Sequence, residues 1–358
     1  MRKVLLISNR VMHYRVSLYN YFARSFRNLG WEFLVRANQL QSSSKIEIKF
    51  DFKEIPFQIG NYILEIRKIK PDAVILFLHV RDEPIIWFLV HYLKLSGIPV
   101  AFWTKGANLD NPADRLSRLC YRYLHSVFDS LILYSSSEIK LINQIFRNKI
   151  FIANNTLNFN DFPVVKESKE HIKRTLHIPF KKVVLFVGRM GIGNDRKKPE
   201  HLIEIFRNCD RKDVGLVIVG SGLSENLKKR INSANTIYMG EVHDPSQYAI
   251  SRIFKMADLF SIPGHIGLGI NQAFFFGLPV VTEDGGQPPE INYLKNNENG
   301  FLVPHNDIDG LKEKIFYLLD NDKIRKEFSR NARKDILMNG SVEKMFTGFY
   351  RCVQYMTN

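Results

Sequence analysis

The feature that most constrains the fold is a repeated alternation of short apolar runs with amphipathic stretches of helical length. Runs such as KVLLIS (residues 3–8) and DAVILFL (residues 72–78) are too apolar to expose one side to water. Strands that are buried on both faces are typical of parallel sheets covered by helices. The sequence therefore predicts an α/β fold built from doubly wound parallel sheets.

This alternation is interrupted once, which indicates two domains. It stops in a polar passage at residues 155–165 and restarts with KVVLFVG at residues 182–188. We expect Rossmann-like domains over residues 1–160 and 161–340, with the C-terminal helix, residues 341–358, packing back on the first. Two such domains would face a cleft lined by the carboxyl ends of both sheets, where ligands of open α/β sheets bind.

The number of cysteines and the lengths of the apolar runs indicate the cellular compartment of the protein. The three cysteines are widely spaced and form neither a disulfide framework nor a zinc pattern. The first apolar run, Val4–Ile7, is too short for the core of a signal peptide, and the run from Ile85 is broken by His91 and Lys94. We expect a cytoplasmic protein without a transmembrane helix.

The net charge of +15 indicates an anionic partner. Nucleic acid is disfavoured, because the sequence has no zinc-finger pattern, RNP-type aromatic motif or dense basic run. Residues 1–50 carry 9 basic and 2 acidic side chains, and one helical pattern there combines Arg15, Arg24 and Arg27 with Phe22 and Phe26. This pattern predicts contact with an anionic membrane surface on its cytoplasmic face, the alternative being a solvated helix.

Two glycine-containing segments follow predicted strands of the second domain. VIVGSGLSENL places Gly220 and Gly222 before a helix, but Glu225 replaces the third glycine of a dinucleotide fingerprint. A tight turn is therefore favoured over an NAD site. In FVGRMGIGNDRKKPEHLI, a strand ends at Gly188, and Arg189 and Lys197 follow it. A guanidinium and an ammonium together suit a diphosphate, although solvated loop charges are the alternative.

The segment from Ser261 to Ile291 contains two further glycine clusters. Gly264 and Gly267 precede a helix whose amides can face an anion, and Gly285 and Gly286 form a turn after LPVVT. Close helix packing is the alternative explanation for these glycines.

The motifs FVGRM, RKKPEHLI, LVIVGSG, ADLFSIPG, AFFFGLPVV, GGQPPEI and NGFLVPHND occur in this order over about residues 183–335. This run resembles the C-terminal domain of retaining, nucleotide-sugar-dependent glycosyltransferases of the GT-B fold, a family with many bacterial polysaccharide and lipopolysaccharide enzymes. The first half resembles the family more loosely, through HYRVSLYNYF, FWTKGAN and YSSSE.

The resemblance implies roles for individual residues. Arg189 and Lys197 would bind the donor diphosphate and support its departure, with Arg196 and Lys198 as neighbours able to substitute. His13 and Lys105, which follow predicted strands of the first domain, would face the cleft as further catalytic candidates. The donor would be bound by the following residues: Gly188, Arg196, Gly220, Gly264, Gly267, Leu268, Gln272, Gly285 and Gly286.

The chain departs from the family at two glutamates that are normally separated by seven residues. Gly264 stands at the first position, which lies near the donor sugar, and Gln272 at the second, which binds the ribose. The Gln272 amide can still bind a ribose hydroxyl. His265 and the backbone amides of Gly267 and Leu268 would then contact the sugar, as catalytic and binding groups respectively.

We expect neither a metal nor a cofactor. Asp307 and Asp309 form an acid-x-acid triplet like that of the other main glycosyltransferase fold, but they open a helix, where aspartate is an ordinary N-cap. The predicted function is metal-independent transfer of a sugar from a nucleotide diphosphate to a glycan or lipid-linked acceptor in surface polysaccharide synthesis. The alternatives are a nucleotide-sugar hydrolase or epimerase, which needs a carboxylate pair, and a nonenzymatic nucleotide-sugar-binding protein.

Overall fold

The computed structural model describes residues 1–41, 46–109, 111–191, 195–231, 234–242, 244 and 246–358. These residues form two compact units. Unit 1 contains Met1–Asn158 and Gly340–Asn358, and unit 2 contains Phe159–Asn339. The junctions lie within two residues of the domain boundaries predicted from the sequence.

Unit 1 contains a parallel sheet whose described strands have the order β3-β2-β1-β4-β5-β6-β7. The strands are β1 (Arg2–Met12), β2 (Trp31–Gln41), β3 (Asp51–Glu54), β4 (Ala73–Phe77), β5 (Val100–Thr104), β6 (Ser130–Leu133) and β7 (Ile150–Ile152). Its first helices are α1 (His13–Asn28), α2 (Ile59–Ile69), α3 (Ile85–Leu95) and α4 (Arg115–Val127).

The β1 strand shows why these sequences form a central parallel sheet. Val4 and Leu6 belong to the apolar core on one face, and Leu5 and Ile7 belong to the core on the other. All four side chains are fully buried. Because successive side chains of a strand point to opposite faces, only an uninterrupted apolar run can satisfy both cores.

Unit 2 repeats this arrangement with the strand order β10-β9-β8-β11-β12-β13, again parallel throughout the described strands. The strands are β8 (Lys182–Val187), β9 (Val214–Val219), β10 (Thr236–Gly240), β11 (Leu259–Ser261), β12 (Val280–Glu283) and β13 (Gly300–Val303). The helices are α5 (Lys169–Thr175), α6 (Pro199–Arg207), α7 (Glu225–Arg230), α8 (Tyr248–Met256), α9 (Gly269–Phe275), α10 (Ile308–Asp320) and α11 (Asp322–Asn339). The strand order reverses between β8 and β11, which makes that edge the topological switch point of the sheet.

The last helix, α12 (Val342–Thr357), belongs to unit 1 and packs against β6 and β7. Its Phe346 and Phe349 rings contact Phe22 and Phe26 of α1. The aromatic side of α1 is therefore covered by the C-terminal helix of the chain.

This packing corrects the membrane interpretation of α1. Phe22 and Phe26 are fully buried, and Arg15 is only 3% exposed. The Arg15 guanidinium lies 4.3 Å from the ring centre of Trp103, inside unit 1. The basic and aromatic residues of α1 cannot form the predicted membrane-binding surface, because three of them are in the core.

Other differences from the sequence analysis are local. The stretch at residues 136–147, one of the amphipathic stretches of helical length, forms two 3₁₀ turns instead of a helix, Ser136–Leu141 and Gln144–Lys149. The edge strand β3, with sequence DFKE, was not predicted, because it is largely exposed and has no apolar run. None of the helices in the described ranges is long and apolar enough to cross a membrane.

Candidate functional site

The candidate site lies at the switch point of unit 2, where two loops are held side by side. Gly188 and Arg189 follow β8, and a loop over residues 262–268 connects β11 to α9. The amides of Gly264 and His265 donate hydrogen bonds to the carbonyl oxygens of Lys197 (3.2 Å) and Arg196 (2.7 Å). The basic segment that precedes α6 is thereby fixed beside the loop that follows β11.

Two of the predicted glycines have a packing role at this edge. A Cβ atom on Gly264 would lie 1.7 Å from the carbonyl oxygen of Arg196, and one on Gly220 would lie 2.0 Å from that of Gly188. Gly220 also has a φ of +134°, which a residue with a side chain rarely adopts. Close backbone approach thus explains both glycines, and donor binding by them stays a prediction.

Lys197 is a cation of the site whose pKa is shifted. Its aliphatic chain lies against Gly188, and its Nζ donates a hydrogen bond to the carbonyl oxygen of His265 at 3.1 Å. Burial, together with the charges of Arg189 and Arg196, lowers the pKa of Lys197 to about 8, and Glu290 partly opposes this. An anion bound here would relieve the repulsion among these cations.

Arg189 supplies an uncompensated charge to the same edge. Its side chain is exposed and makes no ion pair with any residue in the described part of the chain. Arg196 is exposed as well. An exposed guanidinium beside a partly buried ammonium can bind a phosphate or diphosphate.

Lys198 has a different role from its two neighbours, which corrects the expectation that it could replace Lys197. Its Nζ donates hydrogen bonds to the carboxylate of Glu283 (2.9 Å) and to Oδ1 of Asn306 (2.5 Å). Glu283 also binds His201 Nδ1 at 2.5 Å and the amide of Asn306 at 2.9 Å. Lys198 therefore links the end of β12 to the loop after β13.

The Glu283 network predicts a pH-dependent stability. Burial raises the pKa of Glu283, but hydrogen bonds from His201 and Lys198 outweigh it and lower the pKa to about 2 from its ordinary value of 4.5. The ionised group stabilises the fold above about pH 4.5, and this contribution is lost as the pH falls toward 2.

We expect Glu283→Gln to lower the free energy of unfolding by about 2 kcal/mol at pH 7, because charge-assisted hydrogen bonds are lost. Urea unfolding from pH 7 to pH 3 should show this difference shrinking as the wild-type carboxylate is protonated. Glu225→Gln is the control, because Glu225 forms an exposed pair with Lys228 on α7. An equal loss of stability in both variants would contradict the assignment.

Gln287 is a positioning residue that the sequence analysis missed. Its Oε1 accepts from the amide of Ile266 (3.1 Å), and its Nε2 donates to the carbonyl oxygens of Gly264 (2.7 Å) and Glu283 (2.8 Å). One amide thus ties the loop after β11 to the end of β12. The sequence signal that could have indicated this role is the position of Gln287 directly after the turn at Gly285 and Gly286.

The remaining residues predicted to bind the donor lie around α9 and after β12. The Gln272 side chain on α9 is partly exposed and makes no hydrogen bond to any described residue. Gly267, with a φ of +56°, and Leu268 precede the helix. Gly285 and Gly286 adopt φ values of +149° and +60°. The free Gln272 amide is available for a ligand.

The two candidates from the first domain lie in unit 1. His13 is the first residue of α1, directly after β1, and Lys105 directly follows β5. Both are partly exposed at the carboxyl edge of that sheet.

The acidic triplet at residues 307–309 has the structural role expected of it. Asp307 accepts a hydrogen bond from the amide of Gly310 at 2.9 Å and caps α10, which confirms the prediction. In the described ranges, no group of three or more His, Cys, Asp or Glu side chains could hold a metal ion.

Residues 167–335, which contain the whole switch-point site, match the family model described as Glycosyl transferases group 1. The matched range covers just under half of the chain, and over this range the chain is similar to the family. The motifs that carried the resemblance fall within the matched range.

Individual characterised proteins match parts of this chain. Poly(ribitol-phosphate) alpha-N-acetylglucosaminyltransferase of Staphylococcus aureus strain COL is 24% identical over 221 residues, which are 60% of this chain and 41% of that protein. Phosphatidyl-myo-inositol mannosyltransferase of Mycobacterium leprae is 30% identical over 155 residues, which are 41% and 40% of the two chains. The chain spans about two fifths of the length of each.

Solved structures show the same fold over the full chain. HepE of Anabaena, in complex with UDP, has a TM-score of 0.77 at 14% identity, covering 99% of this chain and 100% of the other. The prediction of a GT-B fold with two Rossmann-like parallel-sheet units is confirmed.

Proposed function

We propose that this chain is a metal-independent glycosyltransferase that moves a sugar from a nucleotide diphosphate to a glycan or lipid-linked acceptor, with retention of configuration. Its biological role would be the synthesis of bacterial surface polysaccharide or another glycan. The observation that carries the proposal is the position of Lys197, partly buried at the switch point with a pKa lowered by burial and by Arg189 and Arg196. These are the charges that a departing diphosphate requires.

The proposed reaction breaks the bond between the sugar C1 and the diphosphate oxygen. Arg189 and Lys197 stabilise the negative charge that grows on the diphosphate, the task that a divalent metal performs in other enzymes. The acceptor oxygen bonds to C1 on the same face, and its proton passes to the leaving phosphate oxygen. This route needs no carboxylate at Gly264, so the missing family glutamate does not prevent it.

The names of relatives narrow the substrates to be tried first. Structures of HepE hold UDP and UDP-glucose, so UDP-sugars are the first donors to test. The S. aureus relative is named for poly(ribitol-phosphate), and the M. leprae relative for phosphatidyl-myo-inositol. Both acceptors carry phosphate, which suits a chain with a net charge of +15.

A donor screen that monitors nucleotide release tests the proposal. Release that depends on an acceptor, and that persists in the presence of a chelator, is the expected result. Release without an acceptor would identify a hydrolase, and a rearranged donor sugar would identify an epimerase. Donor binding with no turnover in any combination would favour a nonenzymatic protein.

Gln272 offers a separate test of donor binding. Its free amide is proposed to bind the ribose hydroxyls, so Gln272→Ala should weaken the binding of UDP about tenfold in calorimetry, the effect of losing one or two hydrogen bonds. Gln272→Glu should bind UDP nearly as well as the wild type, because a carboxylate also accepts from a hydroxyl. The control is Gln354→Ala on the exposed side of α12. Unchanged UDP affinity in Gln272→Ala would contradict the ribose assignment.

Membrane association, if it accompanies a lipid-linked acceptor, would use a different helix from α1. The α4 helix exposes Leu116 (61%), Leu119 (65%) and Tyr123 (47%) between its arginines. Apolar side chains among cations on one helix suit the interface of an anionic bilayer. We therefore propose α4, and not the α1 helix predicted from the sequence, as the surface that would contact a membrane.

A further inference from the structure

A pocket in unit 1 lies at the carboxyl edge of its sheet, on the inner side of α4. It has a volume of about 300 Å³. Gly106 and Ala107, which follow β5, form one wall, and Ile142 and Asn143, which follow the first 3₁₀ turn, form another. One wall of the pocket therefore lies at the carboxyl edge of the sheet, the edge at which ligands of open parallel α/β sheets bind.

The charge of the pocket is positive and uncompensated. Arg118 and Arg122 line it from α4, and Lys140 lines it from the 3₁₀ turn. Among the described residues, no aspartate or glutamate lines the pocket, and none of these three cations forms an ion pair. Arginines four residues apart on a helix repel each other, so the pair costs stability until an anion binds between them.

A buried histidine provides a second, independent observation. His125 also lines the pocket, is 3% exposed, and its Nε2 has no hydrogen-bond partner among the described residues. Burial and the charge of Lys149 lower the pKa of His125 to about 4, so its ring is uncharged at neutral pH. A buried polar atom without a partner is costly in a folded protein. An uncharged imidazole nitrogen in either tautomer can form a hydrogen bond with a hydroxyl group.

We infer that this pocket binds a phosphate group together with an adjacent hydroxyl, as presented by a phosphorylated sugar or polyol unit of the acceptor. Arg118 and Arg122 bind the phosphate oxygens through their forked N–H groups, and Lys140 adds a third charge. His125 binds the hydroxyl. The volume admits one such unit. This inference rests on the proposed function, because it names the acceptor class of that reaction.

The binding of glycerol 3-phosphate to the full chain, measured by calorimetry at low salt, tests the site without requiring turnover. Glycerol 3-phosphate should bind, and glycerol should not. In Arg118→Gln/Arg122→Gln the affinity should fall at least tenfold. His125→Phe should weaken glycerol 3-phosphate binding but leave the binding of inorganic phosphate unchanged.

The matched control is Arg115→Gln/Arg147→Gln, which removes the same charge from exposed residues outside the pocket. An equal loss of affinity in the control would show attraction by net charge alone and overturn the site. No binding of glycerol 3-phosphate by the wild type would overturn it as well. UDP binding, measured in parallel, separates this outcome from failure of the proposed donor site.

Flotation with vesicles containing phosphatidylglycerol distinguishes a lipid from a soluble source of phosphate. Vesicle binding that is lost in Leu116→Ser/Leu119→Ser, with no binding of glycerol 3-phosphate, would support only the proposed membrane contact of α4 and overturn the pocket assignment. Tight glycerol 3-phosphate binding combined with no transfer to any phosphorylated acceptor would overturn the acceptor assignment, even if transfer to neutral acceptors supports the proposed function.

Discussion

Replacing Lys197 with alanine is expected to lower turnover by at least about 100-fold, and Arg189→Ala should have a similar effect. Each side chain stabilises charge that increases on the diphosphate as the bond to the sugar breaks, and such groups typically contribute this much. Lys229→Ala, which removes an exposed cation from α7, is the matched control and should leave turnover unchanged. Turnover within threefold of the wild type in both Arg189→Ala and Lys197→Ala would contradict the diphosphate assignment.

The pKa of Lys197 adds a pH dependence to this prediction. The protonated ammonium is the form that binds a diphosphate, and in the free protein it loses its proton at about pH 8. UDP affinity should therefore fall as the pH rises through about 8, and UDP binding near that pH should take up a proton. Calorimetry in buffers of different ionisation enthalpy measures this uptake, which should be absent in Lys197→Ala.

Gly264→Ala is expected to lower both stability and turnover, with a loss of about 3 kcal/mol in the free energy of unfolding. The added Cβ would lie 1.7 Å from the carbonyl oxygen of Arg196, so the backbone that carries Lys197 has to move. Gly264→Glu, which restores the residue that the family usually has, should be at least as damaging. The carboxylate cannot be accommodated while the Lys197 segment keeps its position.

Gly60→Ala in α2 is the control for this prediction. A Cβ atom on Gly60 would meet nothing within 4 Å, and alanine has the higher helix propensity. Its stability, measured by urea unfolding, should equal or exceed that of the wild type. A Gly264→Glu variant that folds normally and turns over faster than the wild type would show that the two backbone segments separate readily, contrary to the structure.

The sequence by itself determined the architecture. Apolar runs such as Val4–Ile7 belong to two cores at once, and this double burial specifies a central parallel strand before any contact is known. Glycines at strand ends indicated the edge of the candidate site, and the motifs from about residue 183 to 335 lie within the range that matches the glycosyltransferase family model. Short or exposed elements such as β3 were not predicted from the sequence, because they have no apolar periodicity.

Only the tertiary structure decided which side chains at that edge are free to bind a ligand. RKKPEHLI presents three adjacent cations that the sequence cannot rank, but Lys198 is bound to Glu283 while Lys197 lies over Gly188. From the sequence, Gln287 is an ordinary polar loop residue. Only the structure shows its hydrogen bonds to the backbone of Gly264 and Ile266. Such assignments depend on partners far away in the chain, and local patterns do not encode them.

Contacts between residues far apart in the chain also decide which helix faces of unit 1 are exposed. The α1 pattern of arginines and phenylalanines is amphipathic by sequence, but α12, more than 300 residues later, covers its aromatic side. The α4 helix has a similar composition, but its Leu116 and Leu119 side chains are exposed, and its His125 lines a pocket. Composition sets how much apolar and basic surface a helix has, and only the packing of the whole chain decides which of it remains available to a partner.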